Sequence, residues 1–258
     1  MSENVSTKSL ALFVTNKTIT FLTKTIQQDE VFYSEVYTVT YATSDNELNL
    51  ERILGIIKSK LALLLYYDKI VVCYQTSPIS IVPKSYFKVD LAQKYQFLSD
   101  TENDFFATDC SKISSTILFK QLNPIHTIFN DLPNYKHAIY THTSKLLIQD
   151  AKVNQEKIQI FIQIINQKLE LCIYNKGNFT LYNIYDIINQ DDIVYYILNS
   201  IQQHNLDPTQ IELVFENEIT ANHPITAQLQ KYVNRIIFNH EFNLAGPKYL
   251  LYKIFECE

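Results

Sequence analysis

The sequence predicts an α/β protein of two domains. One order of elements occurs twice, a polar seam lies near residue 154 between the two occurrences, and 258 residues suffice for two cores of roughly 100–150 residues each. The order is three antiparallel strands, a helix and a strand. Ser9–Thr15 and Lys17–Thr25 read as strands joined by a tight turn at Thr15-Asn16-Lys17, and Val31–Tyr41, rich in Tyr, Val and Thr, reads as the third. Leu50, Ile53, Leu54, Ile57, Leu61 and Leu64 recur at spacings of three and four, which predicts a helix over Leu48–Leu65. The nearly continuous apolar run Lys69–Tyr74 has the character of a strand buried on both faces.

The second occurrence begins after the polar run Gln149–Gln155. Lys157–Ile165, Lys168–Tyr174 and Asn178–Tyr185 form its three strands, with hairpin turns at Asn166-Gln167 and Lys176-Gly177. Asn189 is a helix N-cap, Asp191 and Asp192 sit in the first turn where the helix dipole favours carboxylates, and Ile193, Val194, Ile197, Leu198 and Ile201 form the apolar stripe. The helix stops before Asp207-Pro208, Gln210–Phe215 is the next strand, Ile225, Leu229, Tyr232, Val233 and Ile236 mark a further helix, and Tyr249–Phe255 closes the chain as a strand. Between the two sets, Ser77-Pro78 and Val82-Pro83 bound an extended Ile79–Ile81, Ser85–Leu98 is assigned as a helix, and Phe105-Phe106 and Thr116–Phe119 complete the first domain as strands. The domains expected are residues 1–154 and 155–258.

Composition narrows function. With 22 Lys+Arg against 27 Asp+Glu, a net charge of −5 and only Arg52 and Arg235 as arginines, no nucleic-acid surface is expected. Leu10–Val14 is too short for the core of a secretory signal, and Leu61–Tyr67 is too short to cross a bilayer, so the expectation is a cytoplasmic protein with no membrane segment. Cys73, Cys110, Cys172 and Cys257 are far apart and sit mostly in strand-like runs, as buried reduced thiols do. Neither the cysteines nor the histidines pair at metal-ligand spacing. His137 and His142 flank an extended Ala138-Ile139-Tyr140, which would turn them to opposite faces, and His126, His204, His223 and His240 stand alone.

The duplicated order resembles the paired ribonuclease-H-like domains of sugar kinases and actin. Ser80-Ile81-Val82-Pro83-Lys84-Ser85-Tyr86-Phe87 and Asp191-Asp192-Ile193-Val194-Tyr195-Tyr196-Ile197-Leu198-Asn199 are similar to two recurrent segments of an uncharacterised bacterial family, as are Leu206-Asp207-Pro208 and Lys231-Tyr232-Val233. That resemblance implies two ribonuclease-H-like domains, each a mixed five-stranded sheet with helices, in the architecture of the actin-like ATPases. It supplies no activity, because the family is one of unknown function.

Actin-like ATPases hold nucleotide phosphates on glycine-containing hairpins after the first strand of each domain, where a residue without a side chain lets the backbone approach. The matching turns here, Thr15-Asn16-Lys17-Thr18 and Ile165-Asn166-Gln167-Lys168, contain neither Gly nor Asp. An adenosine-packing glycine element would fall at Glu216–Thr220, which has no glycine and two carboxylates. The three glycines, Gly55, Gly177 and Gly246, lie elsewhere. Ser9–Thr15 and Lys157–Ile165 carry no acid, which opposes a two-metal nuclease.

The expectation is therefore a non-catalytic scaffold of actin-like fold, without cofactor, metal or catalytic residues, that binds a protein partner or small ligand and is compatible with a homo-oligomer. Its candidate partner surface is Val82, Pro83, Phe87, Tyr195 and Tyr196: a proline-bounded strand at a sheet edge, and an adjacent tyrosine pair that a helix turns to different faces. The alternative, from another class, is a divergent nucleotide-binding protein or ATPase with phosphate contacts relocated to Lys17, Lys168 or neighbouring backbone.

Overall fold

A computed structural model describes residues 6–34, 36–40, 67–88, 105–120, 138–216, 219–239 and 247–256. The helix expected over Leu48–Leu65, the part of Ser85–Leu98 from residue 89 on, Cys257, His126, His137, His240, Gly55 and Gly246 lie outside the described residues. The chain forms two compact units, residues 1–146 with 250–258, and residues 147–249.

In the first unit, β1 (Thr7–Val14) pairs antiparallel with β2 (Thr18–Gln27) and parallel with β5 (Lys69–Tyr74), which pairs parallel with β9 (Ile139–His142). β1 is buried on both faces, Leu10 to Val14 being almost wholly inaccessible, because it lies inside the sheet order β3-β2-β1-β5-β9. The expected third strand divides in two: β3 (Glu30–Tyr33) pairs with Lys24–Gln27 of β2 and β4 (Tyr37–Thr40) with Thr18–Phe21. β3 follows β2 through Gln28-Asp29, both left-handed (φ 52° and 64°), as a two-residue hairpin turn requires.

The strands of the middle region stand apart from this sheet. β6 (Ile79–Pro83), β8 (Ser115–Lys120) and β7 (Phe105–Cys110) form an antiparallel three-stranded sheet of their own, in the order β6-β8-β7. Ser85–Lys88, expected to open a helix, begins as a turn instead, with the amides of Tyr86 and Phe87 both on the Pro83 carbonyl.

α1 (Thr143–Asp150) leaves β9 and carries the chain into the second unit, so the units divide within this helix rather than in the polar run after it. There β10 (Ile158–Ile165), β11 (Lys168–Asn175) and β12 (Asn178–Asp186) form an antiparallel meander, and β13 (Ile211–Phe215) and β14 (Arg235–Phe238) extend it in parallel on the β10 side. α2 (Gln190–Gln203) lies between β12 and β13, and α3 (Pro224–Leu229) between β13 and β14. The period of two aligns Ile158, Ile160 and Ile162 with Leu169, Leu171, Ile173 and with Ile211, Leu213, Phe215 on one face, where Ile193, Ile197, Ile201, Ile225 and Leu229 of the helices cover them. Each unit thus repeats one strand order around a central antiparallel-to-parallel switch.

The last two elements differ from expectation. The helix starting near Ile225 ends at Leu229, and Ile236 belongs to β14, a short β-branched run that completes the sheet. Tyr249–Phe255 is not a strand but part of α4 (Pro247–Glu256). Pro at its first position and buried Leu250, Leu251, Ile254 and Phe255, spaced for one helical face, account for it.

Candidate functional site

In open α/β sheets, ligands bind beyond the carboxyl ends of the parallel strands. In the first unit those ends lie level, with Val14, Tyr74 and His142 in mutual register. The residues that follow are polar and buried: Thr15, Gln75, Thr76, Thr143 and Ser144.

Thr15 determines what the β1–β2 turn offers. Its Oγ1 accepts the amides of Lys17 at 3.1 Å and Thr18 at 2.9 Å and lies 3.0 Å from the Thr18 hydroxyl, while its own amide donates to the Thr18 carbonyl. The turn thus satisfies the Lys17 and Thr18 amides internally, with a side chain where a phosphate hairpin offers amides outward.

His142 is wholly buried and bonded on both ring nitrogens. The Ser144 amide donates to Nδ1 at 3.0 Å, and the Ser144 hydroxyl, 2.8 Å away, faces the same nitrogen. Nε2 faces both the Thr76 carbonyl at 3.0 Å and the Thr76 amide at 3.3 Å; the shorter amide contact, on Nδ1, assigns the acceptor role to Nδ1 and the proton to Nε2. Burial pushes its pKa down to about 4, against a smaller upward pull from the Thr76 carbonyl. Thr76 in turn donates its hydroxyl to the Lys120 carbonyl at 3.2 Å. Beside this group the buried hydroxyls of Thr141 and Thr143 have no hydrogen-bond partner among the described residues.

In the second unit the corresponding turn, Asn166-Gln167, is a two-residue hairpin with both residues left-handed (φ 49° and 62°). Lys168 beyond it is ion-paired with Asp186 at 2.6 Å and is largely buried. Glu216, where β13 ends, accepts Asn239 Nδ2 on both oxygens at 3.2 and 3.3 Å. The sheet face away from that core sets buried polar side chains among buried Phe161, Cys172 and Val214, a feature the strand alternation hid. Glu170, fully buried, accepts Tyr182 OH at 2.7 Å and Gln163 Nε2 at 2.9 Å. Glu212 accepts Gln159 Nε2 and pairs with Arg235 at 2.9 Å and Lys157 at 3.5 Å. Among the described residues no three His, Cys, Asp or Glu come together as a metal site, and no helix is long and apolar enough to cross a membrane. Cys73, Cys110 and Cys172 are buried.

Of the candidate partner surface, Val82, Pro83 and Phe87 belong to the first unit and Tyr195 and Tyr196 to the second. Val82 is buried against Leu118, with Phe87 and Phe105 packed alongside, so it supports the surface from beneath; Pro83 is exposed. Tyr86 between them, not singled out by the sequence, is 70% exposed. Lys84 lies 2.8 Å from Asp109 and holds its carboxyl below the usual range, aided by the Thr116 hydroxyl. The helical offset of the tyrosine pair appears as expected. Tyr196 stacks on Tyr185 with centroids 4.3 Å apart, and Tyr195, edge-on to Tyr196, is 62% exposed.

One solved structure supports the architecture. A Bacteroides thetaiotaomicron protein with actin-like ATPase fold and unknown function superposes with a TM-score of 0.76 at 14% identity, over 97% of this chain and 96% of that one. The ethanolamine utilization protein EutJ of Carboxydothermus hydrogenoformans gives a TM-score of 0.42 at 8% identity, covering 90% of this chain and 84% of that one. A chain of the PilM-PilN type IV pilus biogenesis complex gives 0.45 at 8% identity, covering 93% and 91%. No curated protein sequence matches. The model of a family described as protein of unknown function (DUF3822) matches residues 2–236. With two ribonuclease-H-like units in an actin-like ATPase fold, the chain belongs to the DUF3822 family.

Proposed function

We propose that the protein is a cytoplasmic, non-catalytic scaffold that has kept the actin-like fold without its ATPase chemistry and binds a protein partner or small ligand. The observation that carries this reading is the Thr15 turn, whose Lys17 and Thr18 amides are engaged by the Thr15 hydroxyl. A triphosphate needs those amides directed outward, and glycine to let it approach. Two further features support the reading. His142, bonded on both nitrogens and neutral, is not placed to act as a base, and the Lys168 ammonium is committed to Asp186, which weighs against relocated phosphate contacts there.

Thermal unfolding with ATP, ADP or GTP plus magnesium tests the loss of nucleotide binding. A ligand at a hundred times its dissociation constant adds about 2.7 kcal/mol of stability. No shift is expected, and a clear one would overturn the reading. The partner surface is tested at its exposed members: Pro83→Ala and Tyr195→Ala should leave the unfolding midpoint within about 0.5 kcal/mol of the parent while depleting co-purifying proteins. An unchanged set of bound proteins would refute the assignment.

A further inference from the structure

We propose that His142 is a proton-sensitive latch on the helix that links the two units: the neutral imidazole caps the first turn of α1 and fastens it to the exit of β5, and protonation releases it. α1 is the place where such a device acts on more than its own turn, since its first residues belong to the first unit and its last to the second.

The first amides of any helix lack an intrahelical carbonyl and need an outside acceptor. Nδ1 of His142 supplies one for Ser144, while Nε2 reaches the Thr76 backbone, 66 residues earlier in the chain. One ring therefore ties the helix start to the residue that follows β5 and Gln75. A proton on Nδ1 turns that acceptor into a donor facing the Ser144 N–H, and places a cation in a dry site at the positive end of a helix dipole. The bond from Nε2 to Thr76 alone cannot offset this, so the charged ring moves toward water and α1 loses its cap.

Among the described residues no charged group faces the ring to hold it in place when protonated. Burial and the Thr76 carbonyl are the influences on its titration. From β5 it meets its register partner Tyr74, from the chain after β5 Thr76, from β8 the Phe119 ring at 5.3 Å, and from α1 Ser144. The next residue of α1, Lys145, directs its ammonium to the Thr108 hydroxyl at 3.5 Å. His223 caps α3 through the same nitrogen, on the Ile225 amide at 3.3 Å, but within one unit and less buried.

Hydrogen exchange of the full chain at about pH 7 and about pH 4.5, corrected for intrinsic rates, tests the latch. Protection over Thr143–Asp150 should fall at least about tenfold at the lower pH while β1 and β2 keep theirs. His142→Asn, which keeps a capping oxygen and removes the titrating group, should abolish the difference. Loss of protection in α1 and β1 in step, or the same loss in His142→Asn, would overturn the proposal. Should that variant not fold, nitrogen NMR of the wild-type imidazole decides: protonation coincident with α1 opening supports the latch, and a protonated ring beneath a still-protected helix overturns it.

Discussion

A single side-chain oxygen decides what the Thr15 turn can bind, and a single ring decides how the chain responds to acid. His142 titrates in the folded chain at about 4, against 6.5 for the free side chain. Between those values the unfolded chain takes up the proton and the folded chain does not, so acid favours unfolding. The stabilisation is complete above about pH 6.5 and is lost as the pH falls toward about 4, by roughly 3 kcal/mol from this residue alone. Urea unfolding across that range should show the decline, and His142→Asn should flatten its share of it. The first-unit site was legible in part. Absence of glycine from Thr15–Thr18 can be read directly, whereas the role of His142 depends on Thr76, brought alongside only by the parallel pairing of β5 and β9.

At the scale of elements, α2 shows why some of the fold could be read from local sequence. Asn189 Oδ1 accepts the amides of Asp191 and Asp192, and Asp192 Oδ2 reaches back to the amides of Ile188 and Asn189, a closed capping box. Every partner lies within four residues, and the apolar stripe follows at helical spacing. Asn189→Ala should cost about 1 kcal/mol in urea unfolding; no measurable loss would show that tertiary packing alone holds the helix start. β14 and α4 depart from the local reading for the opposite reason. Arg235–Phe238 becomes a strand through parallel pairing with β13, which a pair of isoleucines alone does not announce, and Tyr249–Phe255 is a dense apolar run compatible with either state. Likewise the buried Gln163, Glu170 and Tyr182 cluster occupies alternate positions in strands whose other face is plainly apolar, so only the packed sheet reveals it.

At the scale of the molecule, the two units differ in how the chain builds them. The second is continuous, residues 147–249, and contains its five-stranded sheet, both covering helices and its core. The first needs the distant end of the chain: Tyr33 of β3 meets Tyr252 at 4.6 Å and Phe255 at 6.1 Å, and the Lys24 ammonium lies 5.8 Å from the Phe255 ring. Leu250, Leu251, Ile254 and Phe255 are buried there, each contributing about 1.5–3 kcal/mol, against a typical domain stability of about 5–15 kcal/mol. A fragment of residues 147–249 should therefore fold alone with one cooperative transition. A fragment ending at residue 146 should not, unless α4 is restored to it through a linker. Denaturant unfolding of the three fragments distinguishes the cases: a stable first unit without α4 would mean that the terminal helix only decorates the sheet, and an unfolded 147–249 fragment would mean that the second unit depends on the first.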